Sequence, residues 1–362
     1  MHILHVVGAR PNFIKVAPVY RALSERAGVK QTLLHTGQHY DFNMSDIFFQ
    51  QLGIPAPDVN LAVGGGSHAS QTAEIMLRFE KALVERQPEL VLVYGDVNST
   101  MAASLVCAKL QVRLGHVEAG LRSFDRSMPE EINRLITDQL ADFLFTPSED
   151  ADANLAREGI LQEKVFLVGN VMIDSLIRFL PRGAEMTLHS RPYILLTLHR
   201  PANVDDPARL KSLLEAIRDA TRGLDVVFPI HPRTRSKLAY AGLNGWWSDL
   251  KLRDPVPYIE CLALERGARM VLTDSGGIQE ETTFLGVPCL TLRPNTERPI
   301  TVSLGTNTIV GSDLECLRHE VSQVLSGTGK RGSIPPLWDG HAGERIAETI
   351  VTLLCRNALS VA

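Results

Sequence analysis

The sequence predicts an α/β protein of two Rossmann-like domains facing each other across a cleft, and three observations point there. The chain has 362 residues, enough for roughly two domains at about 150 residues each. Short β-branched runs alternate along it with amphipathic stretches of helical period, the rhythm of a parallel sheet with helical crossovers. That rhythm pauses once, over PRGAEMTLHSRP at 181–192, whose two prolines and glycine read as a linker, and then starts again.

The elements follow in order. HILHVV (2–7) reads as the first strand, and a helix opens near Pro11, since proline suits a first helical position. KQTLLHT (30–36), LVLVYGD (90–96), VRLGHVE (112–118), FLFT (143–146) and VFLVG (165–169) continue the first sheet. Helices are expected around 71–87, 98–110, 129–139 and 149–158. The second half repeats the format with YILLTLH (193–199), DVVFPIH (225–231), MVLTD (270–274), PCLTLR (288–293) and TIV (308–310), and a last helix covers about 341–356. Open sheets of this kind bind ligands at the carboxyl ends of their strands.

Composition removes several function classes. Apolar residues make up 44% and charged residues 22%, which excludes a disordered or fibrous chain. Lys plus Arg total 37 against 41 Asp plus Glu, a net charge of −4, so nucleic acid is not an expected partner. No run approaches the roughly 20 apolar residues of a membrane span, and the N-terminus does not read as a signal peptide, so no membrane partner and a cytoplasmic location are expected. Cys107, Cys261, Cys289, Cys316 and Cys355 form no CxxC pair and read as reduced thiols.

Candidate chemistry gathers at strand ends. In VVGARPNFIK, Arg10 and Lys15 flank the start of the first helix, where N-terminal amides and two cations would cradle a phosphate. The segment has neither GxxxxGK[ST] nor GxGxxG, and the plainer reading is two solvated cations. Asp96 closes one strand, Glu118 closes the next, and Glu130 follows Pro129 at a helix start. On one rim these acids could divide general acid and base work. Taken singly, Asp96 could cap a helix, Glu130 and Glu131 match a helix dipole, and Glu118 could pair with Arg122.

In the second half His199 and Arg200 end one strand, and His231 ends another with Arg233 close behind. A pyrophosphate would fit between such groups. No HExxH occurs, and the glycine between His35 and His39 argues against a shared helix face, so no metal is expected. TDSGGIQEE (273–281) reads as strand end, turn and helix opening, where the amides of Ser275, Gly276 and Gly277 would receive an anion and Glu281 would accept from ribose hydroxyls. Arg298, in TERP, is a further phosphate candidate or a solvated cation.

Together these segments resemble the non-hydrolysing UDP-N-acetylglucosamine 2-epimerases. The resemblance runs nearly the whole length, through GARPNFIK, YGDVNST, GHVEAGLRSF, MPEEINR, VGNVMIDS, TLHR, PIHPRT, LTDSGGIQEE and NTERP, in family order. It implies a GT-B type fold with domains at 1–170 and 171–340, the helix of 341–362 packing back on the first, and a homodimer. By resemblance Arg10, Lys15, His231, Ser275, Gly276, Glu281 and Arg298 match positions that hold UDP. Asp96, Glu118 and Glu130 match the catalytic acids, and His231 is counted with them. The implied reaction removes the C2 proton, expels UDP to give 2-acetamidoglucal, and adds both back with C2 inverted, without cofactor or metal.

Three departures stand out. Ala202 in HRPANV occupies a place where an acid is common, and Cys261 stands about where many members carry an aromatic residue near the uracil. Asp41, after Gln38 and His39, differs from members with an activating second substrate site, so hyperbolic kinetics are expected. The chain is closer to archaeal members and to relatives acting on UDP-2,3-diacetamido-2,3-dideoxyglucuronate. That uronate is the alternative substrate, since Arg122, Arg126 and Arg134 could meet its carboxylate. A GT-B glycosyltransferase and a non-catalytic nucleotide-sugar sensor are the other readings.

Overall fold

The computed structural model describes residues 1–37, 49, 51–184, 186, 188–221, 223–240, 242–243 and 245–360. The chain forms two compact units, Met1–Ser175 with Pro336–Ala362, and Leu176–Pro335. The first runs β1 (His2–Val7), α1 (Arg10–Ser24), β2 (Lys30–His35), β3 (Val59–Asn60), α2 (His68–Arg86), β4 (Leu90–Tyr94), α3 (Asn98–Leu110), β5 (Leu114–Val117), α4 (Pro129–Leu140), β6 (Phe143–Thr146), α5 (Glu149–Arg157) and β7 (Val165–Leu167). Helix α6 (Val171–Ala184) begins in this unit and passes into the other.

The second unit continues with β8 (Tyr193–Thr197), α7 (Pro201–Val204), α8 (Pro207–Ala220), β9 (Asp225–Pro229), α9 (Pro232–Tyr240) and β10 (Leu250–Arg253). Then come α10 (Tyr258–Gly267), β11 (Val271–Thr273), α11 (Gly276–Leu285), β12 (Cys289–Thr291), α12 (Pro299–Ser303), β13 (Asn307–Ile309) and α13 (Leu314–Leu325). The last helix, α14 (Ala342–Ser360), belongs to the first unit.

Each unit holds one parallel sheet, in the orders β3-β2-β1-β4-β5-β6-β7 and β10-β9-β8-β11-β12-β13. Both orders reverse beside the unit's first strand, between β1 and β4 and between β8 and β11, which is where doubly wound sheets open a crevice for ligands. Register there pairs Val6 with Val93 and Thr197 with Thr273. β4 is buried along its whole length, because helices cover both faces of such a sheet. Gly8 lies at the first reversal, where a Cβ would come within 2.8 Å of Thr36 Oγ1 and Ser99 Cβ, so only glycine lets β1 and α3 approach.

Two expectations are corrected by the strands and one by a helix. β3 and β10 are sheet edges that the alternation did not reveal. β10 reads LKLR and is half-buried throughout, so its apolar content is too thin to mark a strand. The linker expected from Pro181 starts later, because α6 carries through Pro181 to Ala184. Its buried Leu176 and Phe179 hold the helix together across the proline. Among the described residues no helix is long and apolar enough to cross a membrane.

A second internal proline organises the join of α1, α6 and α14. Pro18 lies inside α1 and has no N–H to give the carbonyl of Ile14, four residues back. Ser175 Oγ donates to that oxygen at 2.6 Å. One residue earlier, Asp174 accepts from the amides of Ala342 and Gly343 at 3.2 and 2.7 Å and so caps α14. Gly343 lies against Pro18 so closely that a Cβ would stand 2.8 Å from its carbonyl. Burial, opposed by those two amides, raises the Asp174 carboxyl to about 6.

Ser175→Ala is expected to cost about 1–2 kcal/mol in urea unfolding, the cost of orphaning a buried carbonyl. In a Pro18→Ala background, where the helix can bond Ile14 itself, the same change is expected to cost clearly less. Equal costs in both backgrounds would show that the hydroxyl does not serve the proline gap.

Candidate functional site

In the first unit Asp96 and Glu118 follow strand ends, each anchored by a cation. Asn12 ties the β1–α1 turn, accepting from the amides of Gly8 and Ala9 at 3.1 and 3.0 Å and donating to Tyr94 O at 2.7 Å. That fixes the first turn of α1 against the end of β4. One turn on, Lys15 Nζ donates to Glu118 Oε1 at 2.6 Å, and both side chains are buried. Glu118 adopts φ +75, a left-handed conformation that costs a non-glycine residue about 1–2 kcal/mol. Its amide and that of Ala119 both bond Phe145 O, at 3.1 and 3.0 Å, which holds the turn in place.

Arg134 on α4 joins the other acids. It is buried, contacts Asp96 Oδ2 through Nη1, and donates to Glu131 Oε2 from Nη2 at 2.8 Å. Glu131 accepts in addition from Ser123 N, Ser123 Oγ and Phe124 N, each at 2.9 Å. Burial opposes its charge, but these donors and Arg134 hold its carboxyl below the usual range. The adjacent Glu130 is half-buried on the first turn of α4. Of the neighbouring acids, then, Glu131 is committed to the Ser123–Phe124 turn.

Beneath these lies a buried network. His116 on β5 bonds Asp138 Oδ1 at 2.6 Å and Gly95 O at 2.8 Å. Asp138 Oδ2 meets Arg122 at 2.7 Å, and Arg122 forks onto Glu158 with two contacts of 2.7 Å. Burial works against the Asp138 charge, yet His116 and Arg122 hold its carboxyl low. Glu118 is thus paired with Lys15 rather than with Arg122, and Asp96 is bound by Arg134 while Val97 takes the cap position of α3.

In the second unit Asp274, fully buried at the end of β11, organises the rim. It accepts from the amides of His199 and Arg200 at 3.1 and 3.0 Å, from Asn203 Nδ2 at 3.0 Å, and pairs with His199 Nδ1 at 2.7 Å. The His199 ring is about half exposed, with Nδ1 occupied by the carboxylate. Burial would raise the Asp274 carboxyl, but His199, Asn203 and the Arg200 amide hold it below the ordinary range.

Ser275 occupies the N-cap position of α11, followed by Gly276 and Gly277, so the first amides of that helix and its dipole favour an anion. A Cβ on Gly276 would run into Arg298 and stand 2.6 Å from Glu297 Oε1, which places the Arg298 guanidinium against this helix start. Arg298 is buried and paired with Glu280 at 2.9 Å and Glu297 at 2.5 Å, so it is not a solvated cation. Glu281 is buried and accepts from Tyr258 Oη at 2.8 Å. His231 is exposed just before α9.

The side chains of Arg10 and Arg233, and Gln38, His39 and Asp41 entirely, lie outside the described residues. Among the described residues no group of three or more His, Cys, Asp or Glu side chains could hold a metal ion. The sequence did not reveal Asn12, Arg134 or Asp274 as organisers of the rims. The spacing of Arg134, three and four residues after two glutamates on one helix, was the available signal.

The two doubly wound α/β units, each with anchored charged groups on its strand rim, define the class of open parallel-sheet α/β proteins that take ligands at the carboxyl ends of their strands. Comparison with known proteins narrows the class. A family model described as UDP-N-acetylglucosamine 2-epimerase matches residues 21–351. The chain is 44% identical over 360 residues to the UDP-N-acetylglucosamine 2-epimerase of Methanocaldococcus jannaschii, covering 95% of this chain and 97% of that protein. It is 42% identical over 362 residues to the UDP-2,3-diacetamido-2,3-dideoxy-D-glucuronate 2-epimerase of Pseudomonas aeruginosa, covering 98% of this chain and 100% of that one. The crystal structure of the M. jannaschii UDP-GlcNAc 2-epimerase in complex with UDP-GlcNAc and UDP superimposes with a TM-score of 0.90 at 41% identity, over 97% of this chain and 100% of that one. The chain belongs to the UDP-N-acetylglucosamine 2-epimerase family. It is an isomerase.

Asp274→Asn is expected to cost about 1.5–3 kcal/mol at neutral pH, the range for hydrogen bonds to an ionised acceptor. The native carboxyl lies below its unfolded value, so the unfolded chain binds the extra proton and the stabilisation is present above the unfolded pKa. It is lost as pH falls through the native one. Urea unfolding between pH 7 and pH 3 should therefore show the gap between wild type and variant closing in acid, and a constant gap would exclude a stabilising carboxylate.

Proposed function

We propose that this chain is a UDP-N-acetylglucosamine 2-epimerase, working as a cytoplasmic homodimer that interconverts UDP-N-acetylglucosamine and UDP-N-acetylmannosamine. The observation that carries this reading is the pairing of rim acids with buried cations in the first unit, Lys15 with Glu118 and Arg134 with Asp96. Such pairing fixes the carboxylates in place, where they can take a proton from carbon or return it. Glu130 is the third acid, and its half-burial leaves it accessible.

In the proposed reaction an acid of the first unit removes the C2 proton as the C1–O bond breaks toward UDP, leaving a C1–C2 double bond. The released UDP is held by the α11 amides at Ser275–Gly277 with Arg298, His231, His199 and Arg200. Glu281 accepts from the ribose hydroxyls. Proton and UDP then add back with the proton on the opposite face. His231, beside the pyrophosphate, assists departure of the leaving group.

Asp96→Asn, Glu118→Gln and Glu130→Gln are each expected to slow deuterium incorporation at C2 of UDP-N-acetylglucosamine in deuterated water by about 10²-fold or more. UDP affinity should change less. Wild-type exchange in all three variants would remove the acids from the chemistry, and no exchange in the wild type would favour a glycosyltransferase or a sensor.

A second reading, the 2-epimerase of UDP-2,3-diacetamido-2,3-dideoxyglucuronate, is favoured by the 42% identity to the P. aeruginosa enzyme. Against it, two of the three arginines available for a sugar carboxylate are already engaged by protein acids, Arg122 by Asp138 and Glu158 and Arg134 by Asp96 and Glu131. Only Arg126 of the three is exposed. Side-by-side kcat/KM is expected to favour UDP-N-acetylglucosamine, and a tenfold preference for the uronate would reverse the assignment while keeping the C2 chemistry.

A further inference from the structure

Helices α10 and α11 bury a group of acids and weak donors beside the proposed uridine site. Glu281 is 4% exposed and Glu265 is fully buried. Tyr258 Oη donates to Glu281 Oε1 at 2.8 Å, Cys261 Sγ donates to Glu265 Oε1 at 3.3 Å, and the two carboxyls lie within hydrogen-bonding reach of each other. The titratable groups facing them are Tyr258 and Cys261 on α10, Glu280 on α11, Cys289 on β12 and Tyr193 on β8, each neutral or acidic. The guanidinium of this region, Arg298, is engaged by Glu280 and Glu297.

A thiol is a weak donor, and a buried carboxylate answered by nothing stronger is costly. Two carboxylates in contact in such a place cannot both be ionised, so one proton is held between them. The Tyr258 hydroxyl on Glu281, at 2.8 Å, is a stronger donor than the Cys261 thiol on Glu265, at 3.3 Å, and this favours the charge on Glu281 and the proton on Glu265. Glu281 then has two donors, Tyr258 Oη and the Glu265 acid, fixing its orientation.

We propose that Glu265 is a positioning residue that donates the shared proton to Glu281, so that Glu281 presents a fixed, ionised acceptor to the ribose hydroxyls of a bound uridine nucleotide. This rests on the assignment of Glu281 to the UDP site made above. Burial raises Glu281 to about 7 and Glu265 well above the carboxylate range, so Glu281 gains its charge as pH rises through about 7, the pair then keeps one shared proton, and that proton is lost in stronger alkali. Loss of that proton leaves two like charges side by side, and they move apart.

Calorimetric titration with UDP and with 2′-deoxy-UDP between pH 6 and pH 9 tests this in the wild type and in Glu265→Gln, whose amide donates at every pH. Wild-type Kd for UDP is expected to rise by up to about tenfold per pH unit once the proton is lost. The variant should lack this rise and still prefer UDP over 2′-deoxy-UDP, whereas a merely structural role would shift Kd alike at all pH values. Identical pH profiles in the two proteins would overturn the proposal alone. Absence of UDP binding at any pH would overturn the assignment of Glu281 and the proposal with it. Should the variant fail to fold, infrared spectroscopy of the ligand-free wild type decides: a protonated-carboxyl band that persists at pH 7 and fades in alkali is expected, and its absence at pH 6 overturns the proposal.

Discussion

Charge withdrawn from water has to be answered within hydrogen-bond reach, and the site architecture of both units depends on that requirement. Lys15 and Glu118 meet at 2.6 Å with almost no solvent contact, and neither would be tolerable there alone. Arg134 serves two acids, and Arg122 serves two more. Removing one member strands another, so the rim positions are interdependent rather than a set of separable side chains. The same requirement binds Asp274 to two backbone amides, an amide side chain and an imidazole, which stitches the loop after β8 to the end of β11.

This interdependence separates acids committed to the protein's own donors from the acid proposed to take part in catalysis. Glu131, Asp138 and Asp274 have their oxygens taken by protein donors, whereas Glu130 stands half-buried at a helix start. Adjacent glutamates on one helix thereby receive different work. The 3.6-residue period turns Glu131 inward beneath the Ser123–Phe124 turn, while its neighbour points away from it.

Much of the fold could be read from the chain, and the reason is local. Strands such as LVLVY are buried on both faces and so are apolar throughout, and Pro11 and the Ser-Gly-Gly turn mark helix starts by backbone chemistry alone. Edge strands escaped because LKLR satisfies only half of a sheet's demand for apolar surface. Pro181 misled because a proline breaks a helix only when packing does not hold it, and Phe179 and Leu176 do. The candidate residues could be read only as residue types at strand ends. Their pairing could not be read, since Lys15 with Glu118 and His199 with Asp274 are joined across 103 and 75 positions of sequence. The burial of Arg298 could not be read, because a charged residue beside proline in a loop is usually solvated.

The return of α14 to the first unit has a consequence for how the protein is made. Leu176–Pro335 is translated before Pro336–Ala362 completes the first unit. At about 5–20 residues per second the early sheet must wait on the order of ten seconds or more for the helix that covers it. During that interval the Asp174 carboxylate has no helix to cap, and the surface destined for buried Ile346, Ala347 and Ile350 is open. Unit 2, continuous in sequence, can close first although it begins later. The order of completion is therefore the reverse of the order of synthesis, and the nascent chain carries an uncovered apolar face that chaperones or neighbouring chains can bind until its last helix is released.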